Sequence, residues 1–566
     1  MKIGRRIFMA MSLLTVGSLT WGMSLSSPKK YNVLFIICDD LNDTVNGMGG
    51  HPQALTPAID RLMEQGVQFT NAHCNAPICG PSRASLWTGL YPSVTGYYGY
   101  KQQANHWRKF PAMTKAVTMM EHFKSNGYNV YGTGKVFHNG HEDNSVFTTD
   151  PFKDTQAGPS SFGPVPWDGV SFHSYGKPSG AGHPGMPPGY EENYWASFGS
   201  LEDRPKVNDF EGWMGDWLGK NGDRKTESWR FKYIDKNNRD LMPDEISANF
   251  ISDKLNENHE KPFFMVCGIN RPHVPRYAPQ EFFELFPIDS IKLPPYKTND
   301  LGDCAEILFK DPVTGKKDYQ AKALPNLLEA GEKTSKGGQY WWKKWIQSYL
   351  ACTAFADHQI GKMLSALEKS KYKENTIVIL TGDHGYHMGE KDHMNKTTIW
   401  EEVTRVPYVI KVPGISKEGR TCDHPVSLID LYPTLIDLCG LPKEPNSGVN
   451  NLTLDGYSIK PFLINPENGP WSGPDVALNH LHGRQEITKN TPSPISANHH
   501  SVRSRQYRYT LCSDGSEELY DHNADPNEWI NLASNKKYAK IKTGLKNKLE
   551  LLLNRSRKKR EAWLSN

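Results

Sequence analysis

The sequence predicts a large doubly wound α/β domain, followed by a smaller α+β domain. Three observations carry this expectation. Short, strongly apolar runs end in polar or glycine-rich turns, patterns of helical period lie between them, and beyond about residue 441 the pattern changes to short alternating runs closed by a basic helix. At 566 residues, 37% hydrophobic and 23% charged, the chain can fill a large core and a second, smaller unit. The balance of 66 basic against 62 acidic residues excludes a global field for nonspecific nucleic-acid binding, so any anion recognition must be local.

Taken in chain order, the first element is a targeting segment. Lys2, Arg5 and Arg6 precede an uncharged stretch from Ile7 to Trp21, and small or polar residues follow. Residues 1–27 are expected to be removed, because Ser12, Thr15, Gly17, Ser18 and Thr20 break a run already short of the roughly 20 residues of a membrane span. The mature chain is expected to be exported, periplasmic or extracellular, with no membrane attachment. Runs rich in β-branched and aromatic residues read as buried strands at Val33 to Cys38, Asn129 to Gly132, Phe263 to Ile269, Thr376 to Leu380 and Tyr408 to Val412. A helix starts at Pro57 with Thr56 as its cap, turns Ile59, Leu62 and Met63 inward, and stops at Gly66. A longer one runs from about Trp345 to Leu367, with Tyr349, Phe355, Ile360, Met363 and Leu364 on its core face.

After a helix at Ser427 to Gly440, the Pro-, Gly- and Asn-rich stretch Leu441 to Thr453 divides the mature chain into residues 28–445 and 446–566. Tyr507 to Leu511 alternates as a strand of a small sheet, and Lys537 to about Trp563 is a terminal helix whose basic run, Arg555 to Arg560, reads as a solvated end. Two segments interrupt the pattern, Gly158 to Gly199 and Asn299 to Gly338; they are either surface loops or substrate-binding insertions over the sheet. Nine cysteines leave an odd thiol in an oxidising compartment. Cys38 and Cys267 sit in apolar runs as buried bystanders, and Cys422 and Cys439 are a candidate bridge.

Two acidic pairs fall where open α/β sheets place their sites, beyond the carboxyl ends of buried strands: Asp39-Asp40 and Asp383-His384. Adjacent carboxylates repel and are costly to bury without a cation. A hard divalent ion, calcium first and magnesium second, meets that need, although exposed turn or cap residues would explain either pair alone. Between them in sequence, Ala76-Pro77-Ile78-Cys79-Gly80-Pro81-Ser82-Arg83 leads into a helix, which puts the Cys79 thiol at a helix N-terminus with Arg83 one turn on.

Cys79-Gly80-Pro81-Ser82-Arg83 resembles the Cys-x-Pro-Ser-Arg signature of type I sulfatases, whose cysteine is oxidised to formylglycine (3-oxoalanine) by a separate maturation enzyme. Gly134-Lys135-Val136-Phe137-His138 and Arg271-Pro272-His273-Val274-Pro275 resemble motifs of the iduronate-2-sulfatase branch, as does His384 where many members carry Asn. Glu518-Leu519-Tyr520-Asp521 and Asp525-Pro526-Asn527-Glu528-Trp529 resemble hallmarks near the C-terminus, and Leu90 departs from the usual Arg. The resemblance covers about Tyr31 to Ala533. It implies an alkaline-phosphatase-like fold, with a doubly wound mixed sheet and a smaller C-terminal α+β domain, and one calcium ion on Asp39, Asp40, Cys79, Asp383 and His384. It further implies Lys135 and Lys396 on the sulfate oxygens, and Arg83 orienting a formylglycine hydrate that attacks sulfur. His273 would protonate the leaving sugar oxygen, and His138 would take the proton that lets sulfate depart. The substrate class implied is a sulfated oligo- or polysaccharide containing uronic acid, such as a glycosaminoglycan or the algal polysaccharide ulvan. His387, His393, His480 and His482 read as loop histidines or substrate contacts. The alternatives are a phosphoester hydrolase of the same superfamily and a catalytically silent glycan-binding protein.

Overall fold

A computed structural model describes residues 30–99, 107–138, 143–148, 198–203, 212–215, 229–274, 276–311, 313–447, 452–483 and 491–564. The expected targeting segment, residues 1–27, and nearly all of the stretch 158–199 lie outside the described residues. Seven strands form the main sheet: β1 (Asn32–Cys38), β2 (Val67–Phe69), β3 (Asn129–Gly134), β4 (Phe263–Ile269), β5 (Thr376–Gly382), β6 (Tyr408–Lys411) and β7 (Arg420–Cys422). Their order is β7-β2-β6-β5-β1-β4-β3. β1 is internal and parallel to both β5 and β4, whereas β6 runs antiparallel to β5 and β2, so the sheet is mixed, as the family resemblance implies.

Every residue of β1, β4 and β5 is buried, which is why these strands read as unbroken apolar runs. Val33, Phe35 and Ile37 face one core with Trp87 of helix α2 (Cys79–Thr88), while Leu34, Ile36 and Cys38 face the other. That second core is covered by α1 (Pro57–Gln65), α3 (Pro243–Asn256) and α4 (Gly338–Lys369), which contribute Ile59, Ile251 and Ile360. Each such side chain stabilises the fold by about 1.5–3 kcal/mol. The register pairs Cys38 with both Gly382 and Ile269, so three central strands end at one level and release their next residues into the same space.

Several expectations change. Thr56 precedes α1 but does not cap it: its hydroxyl donates to Asp60 (3.2 Å) and accepts from the Asn46 N–H (3.0 Å). The first amides of α1 are instead met across the core by Asp357 of α4, which accepts from Ala58 N–H at 3.1 Å and Ile59 N–H at 2.8 Å. α4 also starts earlier than its periodicity suggests, at Gly338. The segment Asn299 to Gly338 is not an open loop. It contains 3-10 turns at Asp300–Asp303, Glu306–Leu308 and Gln320–Lys322 and a helix at Ala323–Glu332, and Leu301, Leu308, Phe309 and Ala321 pack with Trp400 and Tyr520. Apolar residues spaced by successive turns carry no single period, which is why the segment reads as irregular. All nine cysteines are free thiols, so Cys422 and Cys439 form no bridge.

The smaller sheet is antiparallel: β8 (Ala477–Leu481), β9 (His499–Arg503), β10 (Tyr507–Leu511) and β11 (Glu517–Asp521), with helix α6 (Ala539–Leu564) against it. Past residue 446, Ile459, Phe462 and Leu463 still pack in the first core of the large sheet, beside α5 (Leu431–Cys439). The junction is polar and direct. His480 N–H donates to Asn75 O (2.9 Å), and the Asn479 amide donates to Cys74 O (2.6 Å), four and five residues before Cys79.

Candidate active site

The strand ends deliver Asp39, Asp40, Asp383 and His384 into one buried pocket. Asp40 takes a left-handed backbone (φ 61°), and its N–H donates to Asp383 Oδ1 at 3.1 Å, which turns the second carboxylate back over the sheet edge. α2 supplies Cys79 at its first turn and Arg83 one turn on; the Arg83 Nε–H donates to Asp383 Oδ2 (2.8 Å), and its Nη2 lies 3.7 Å from Asp39 Oδ1. Lys135 leaves the end of β3 and pairs with Asp39 Oδ2. Its placement depends on two glycines: Gly134 has φ +67°, and a Cβ on Gly268 would collide with the Lys135 carbonyl. Lys396 donates to Asp40 Oδ1 at 2.6 Å and to Cys79 Sγ at 3.0 Å, and His384 Nε2 lies 3.2 Å from the same sulfur. His273 Nε2 stands 3.9 Å from both Asp39 Oδ2 and Asp40 Oδ2.

The electrostatics follow from burial and sign. Burial acts to raise Asp39, but Lys135, His273, Lys396 and Arg83 overcome it and hold this carboxyl well below its ordinary range. Burial raises Asp40; Lys396 relieves part of that, while Asp39 and Asp383 add to it. His384 is pushed up to about 9: burial opposes the rise, and Asp383 and the Cys79 sulfur drive it. His273 is held well below the ordinary imidazole value by burial and then by Lys396.

These residues fit a hard cation. Asp39, Asp40, Cys79 and His273, and likewise Asp39, Cys79, Asp383 and His384, each offer one ligand atom within 4.8 Å of the others. Asp39 Oδ1 and Asp40 Oδ2 are buried without a hydrogen-bond donor, a costly state for two carboxylate oxygens that a divalent ion relieves.

The pocket thus brings together every nucleophile, metal and lysine candidate read from the sequence, together with Arg83 and His273. His138 is half-buried, three residues past Lys135 in the same connection. Two supporting side chains have no role in the sequence reading, although Ser82 stands in the quoted signature. Ser82 Oγ donates to Asp383 O (2.5 Å), and the Tyr349 hydroxyl donates to Asp40 O at 2.6 Å. Tyr349 sits on the core face of α4, and periodicity cannot separate a core tyrosine from one whose hydroxyl reaches a strand end. The four further histidines are not open loop residues. His387 and His393 are buried beside Trp400, His480 is buried in β8 against His500, and His482 is half-buried.

Against known proteins, a family model described as Sulfatase matches residues 31–441, and one described as N-sulphoglucosamine sulphohydrolase, C-terminal, matches 389–555. A sulfatase of Formosa agariphila is 35% identical, over 90% of this chain and 84% of that protein. An ulvan-active sulfatase of the same organism is 26% identical, covering 92% and 81%, and mouse iduronate 2-sulfatase is 25% identical, covering 86% and 85%. Among solved structures, one in complex with its substrate D-glucosamine-2-N,6-O-disulfate aligns with a TM-score of 0.60 at 19% identity, over 94% of this chain and 98% of that one. A phosphonate monoester hydrolase of Agrobacterium radiobacter aligns equally well, TM-score 0.60 at 21% identity, over 93% and 96%. At these identities the structures speak for the alkaline-phosphatase-like fold alone.

Proposed function

The chain belongs to the sulfatase family, whose members are sulfuric ester hydrolases, and from that premise we propose that it desulfates a uronic-acid-containing glycan, with Cys79, oxidised to formylglycine, as nucleophile. The observation that supports this most is the convergence of three carboxylates, two lysines and His384 around the Cys79 sulfur in a buried pocket. The relatives named for iduronate and ulvan support the substrate class. The phosphonate hydrolase match supports no rival beyond the shared fold.

Calcium held by Asp39, Asp40, Asp383, His384 and residue 79 would supply Lewis-acid polarisation of a sulfate oxygen. The chain's own residues do the rest. Lys135 and Lys396 neutralise the sulfate oxygens that otherwise repel a nucleophile, and Arg83 orients residue 79. In His273, Nδ1 is engaged by Val274 O at 2.5 Å, so Nδ1 carries the hydrogen and Nε2 faces the carboxylates. Burial and then Lys396 lower this ring's affinity for a proton, and an arriving sulfate anion raises it, readying the ring to protonate the leaving sugar oxygen. His138 receives the proton that residue 79 must lose as sulfate departs. We place the mature protein outside the cytoplasm after removal of residues 1–27, matured by a formylglycine-generating enzyme, with residues 28–445 as the catalytic domain and 446–566 as its C-terminal partner. Among the described residues no helix is long and apolar enough to cross a membrane.

The test is mass spectrometry of the Cys79 peptide, joined to sulfate release from heparin-derived and ulvan-derived oligosaccharides. Aldehyde at residue 79 is expected, with turnover abolished in Cys79→Ala while the variant stays folded by circular dichroism; retained turnover in that variant would overturn the nucleophile. Chelation should lower turnover and Tm together, by mass action on an ion bound only in the folded state.

A further inference from the structure

Arg276 has no role in the pocket described above, yet it lies against three of the segments that build it. It begins the short strand Arg276–Ala278, is fully buried, and follows His273 by three residues. Aromatic faces ring its guanidinium: Trp345 at 4.4 Å and Tyr349 at 5.0 Å, one turn apart on α4, and Tyr386 at 4.5 Å, two residues past His384. Among the described residues no carboxylate pairs with it, and Nη1 and Nη2 are buried without a hydrogen-bond partner. Its Nε–H donates to Pro272 O at 3.3 Å, the carbonyl directly before His273. A guanidinium buried without a counter-charge is costly, and an apolar side chain would fill the same cage without that desolvation. What the guanidinium adds is the bond to Pro272 O, made by a planar donor clamped between rings of other segments. The stretch it grips is pinned at its start as well: Asp244 accepts from the Asn270 N–H (2.6 Å) and the Arg271 N–H (3.1 Å), and the His273 N–H donates to Asn270 O (2.9 Å). The rings in turn belong to the carboxylate side of the pocket, since the Tyr349 hydroxyl donates to Asp40 O (2.6 Å) and Tyr386 O accepts from the Asn42 side-chain amide (2.9 Å). Arg276 therefore ties the His273 loop to the frame that holds Asp40 and His384, and so sets where His273 Nε2 stands, 3.9 Å from Asp39 and Asp40.

We propose that Arg276 is a positioning residue that fixes His273 for protonation of the leaving sugar oxygen. The proposal rests on the sulfated-glycan reading with His273 as general acid, and adds the side chain that aims it. The experiment measures kcat and KM for wild type, Arg276→Met, Arg276→Lys and His273→Ala on two substrates, with folding checked by circular dichroism. One is 4-nitrophenyl sulfate, whose leaving group departs with little need of a proton; the other is whichever of a heparin-derived 2-O-sulfated disaccharide or a sulfated ulvan disaccharide the wild type hydrolyses. Arg276→Met is expected to lower kcat on the disaccharide about a hundredfold, the scale of a displaced general acid, with KM nearly kept and aryl sulfate turnover changed less than about threefold. Arg276→Lys keeps the charge but cannot both span the rings and hold Pro272 O, so it should lose about tenfold with the same bias, and it carries the test alone if Arg276→Met does not fold. Losses of equal size on both substrates, or an unchanged kcat on the disaccharide, overturn the positioning role while leaving the sulfatase reading intact. Equal losses in His273→Ala overturn the acid assignment, and wild type that desulfates neither disaccharide overturns the substrate reading; either takes this inference with it.

Discussion

Lys396 carries more of the site than its place in a polar loop suggests. Its ammonium touches both Asp40 and Cys79, so it links the second carboxylate to the reacting position and helps hold Asp39 ionised. Removing one preorganised charge aimed at developing anionic oxygens costs on the order of 10²–10³ in turnover. Lys396→Ala is therefore expected to lower kcat for sulfate release by about that factor, and Lys396→Arg should not restore it, because a planar fork cannot replace a point charge bonded at 2.6 and 3.0 Å. Steady-state kinetics on an aryl sulfate decide this; a change smaller than about threefold would remove Lys396 from the proposed sulfate clamp.

Between elements, the contact of β8 and β9 with the large domain runs through two buried imidazoles. His480 Nδ1 and His500 Nδ1 lie 2.8 Å apart, and His500 Nε2 meets Ile495 O at 2.8 Å. Since a carbonyl only accepts, His500 Nε2 carries the hydrogen and its Nδ1 accepts from His480, whose Nε2 then faces Ser93 at 3.4 Å. Ser93 in turn bonds Ser556 of α6, and Tyr91 and Tyr98 pack edge-on against the rings, so no carboxylate among these contacts rewards protonation. Burial holds His500 down at about 4, and burial with its neighbour holds His480 well below its ordinary value. Both folded values lie below the unfolded one, so their contribution is present above about pH 6.5 and is lost as pH falls toward 4. Urea unfolding is expected to show stability falling by a few kcal/mol over that window, since each tenfold change in proton affinity is worth about 1.4 kcal/mol. His500→Gln should flatten that limb; an unaltered acid limb would assign it to other groups.

Across the whole molecule, the two sheets are joined by charge buried far from water. Arg508 of β10 bonds Glu401 (2.5 Å) and Thr404 (2.7 Å), pairs with Glu528 at 2.8 Å, and Arg503 adds a second contact to Glu401 at 3.1 Å. Glu401 lies just after Trp400 and five residues after Lys396, so the smaller sheet braces the loop that supplies the site. Arg508→Ala would remove the guanidinium shared by two buried carboxylates, leaving Glu401 to Arg503 and Glu528 to His522, and is expected to cost about 3–5 kcal/mol, read by chemical denaturation. A loss below about 1 kcal/mol would mean that the junction relaxes and lets water in.

Chain chemistry alone determined the strands whose both faces are buried, the α/β architecture, and the two acidic pairs past the strand ends, because long apolar runs and acids placed just past them are local signals; that Lys135, Lys396 and His273 join them at Cys79 was legible only through the resemblance of their motifs to the sulfatases. Tertiary structure alone decided the rest. The α1 cap comes from Asp357, 299 residues from Ala58 along the chain and invisible to any local rule. The segment 299–338 is ordered by contacts with Trp400 and Tyr520 rather than by a period of its own. Tyr349 serves the site through its hydroxyl while its ring looks like core. Each of these depends on partners brought close by the sheet register, and distance along the chain does not encode that.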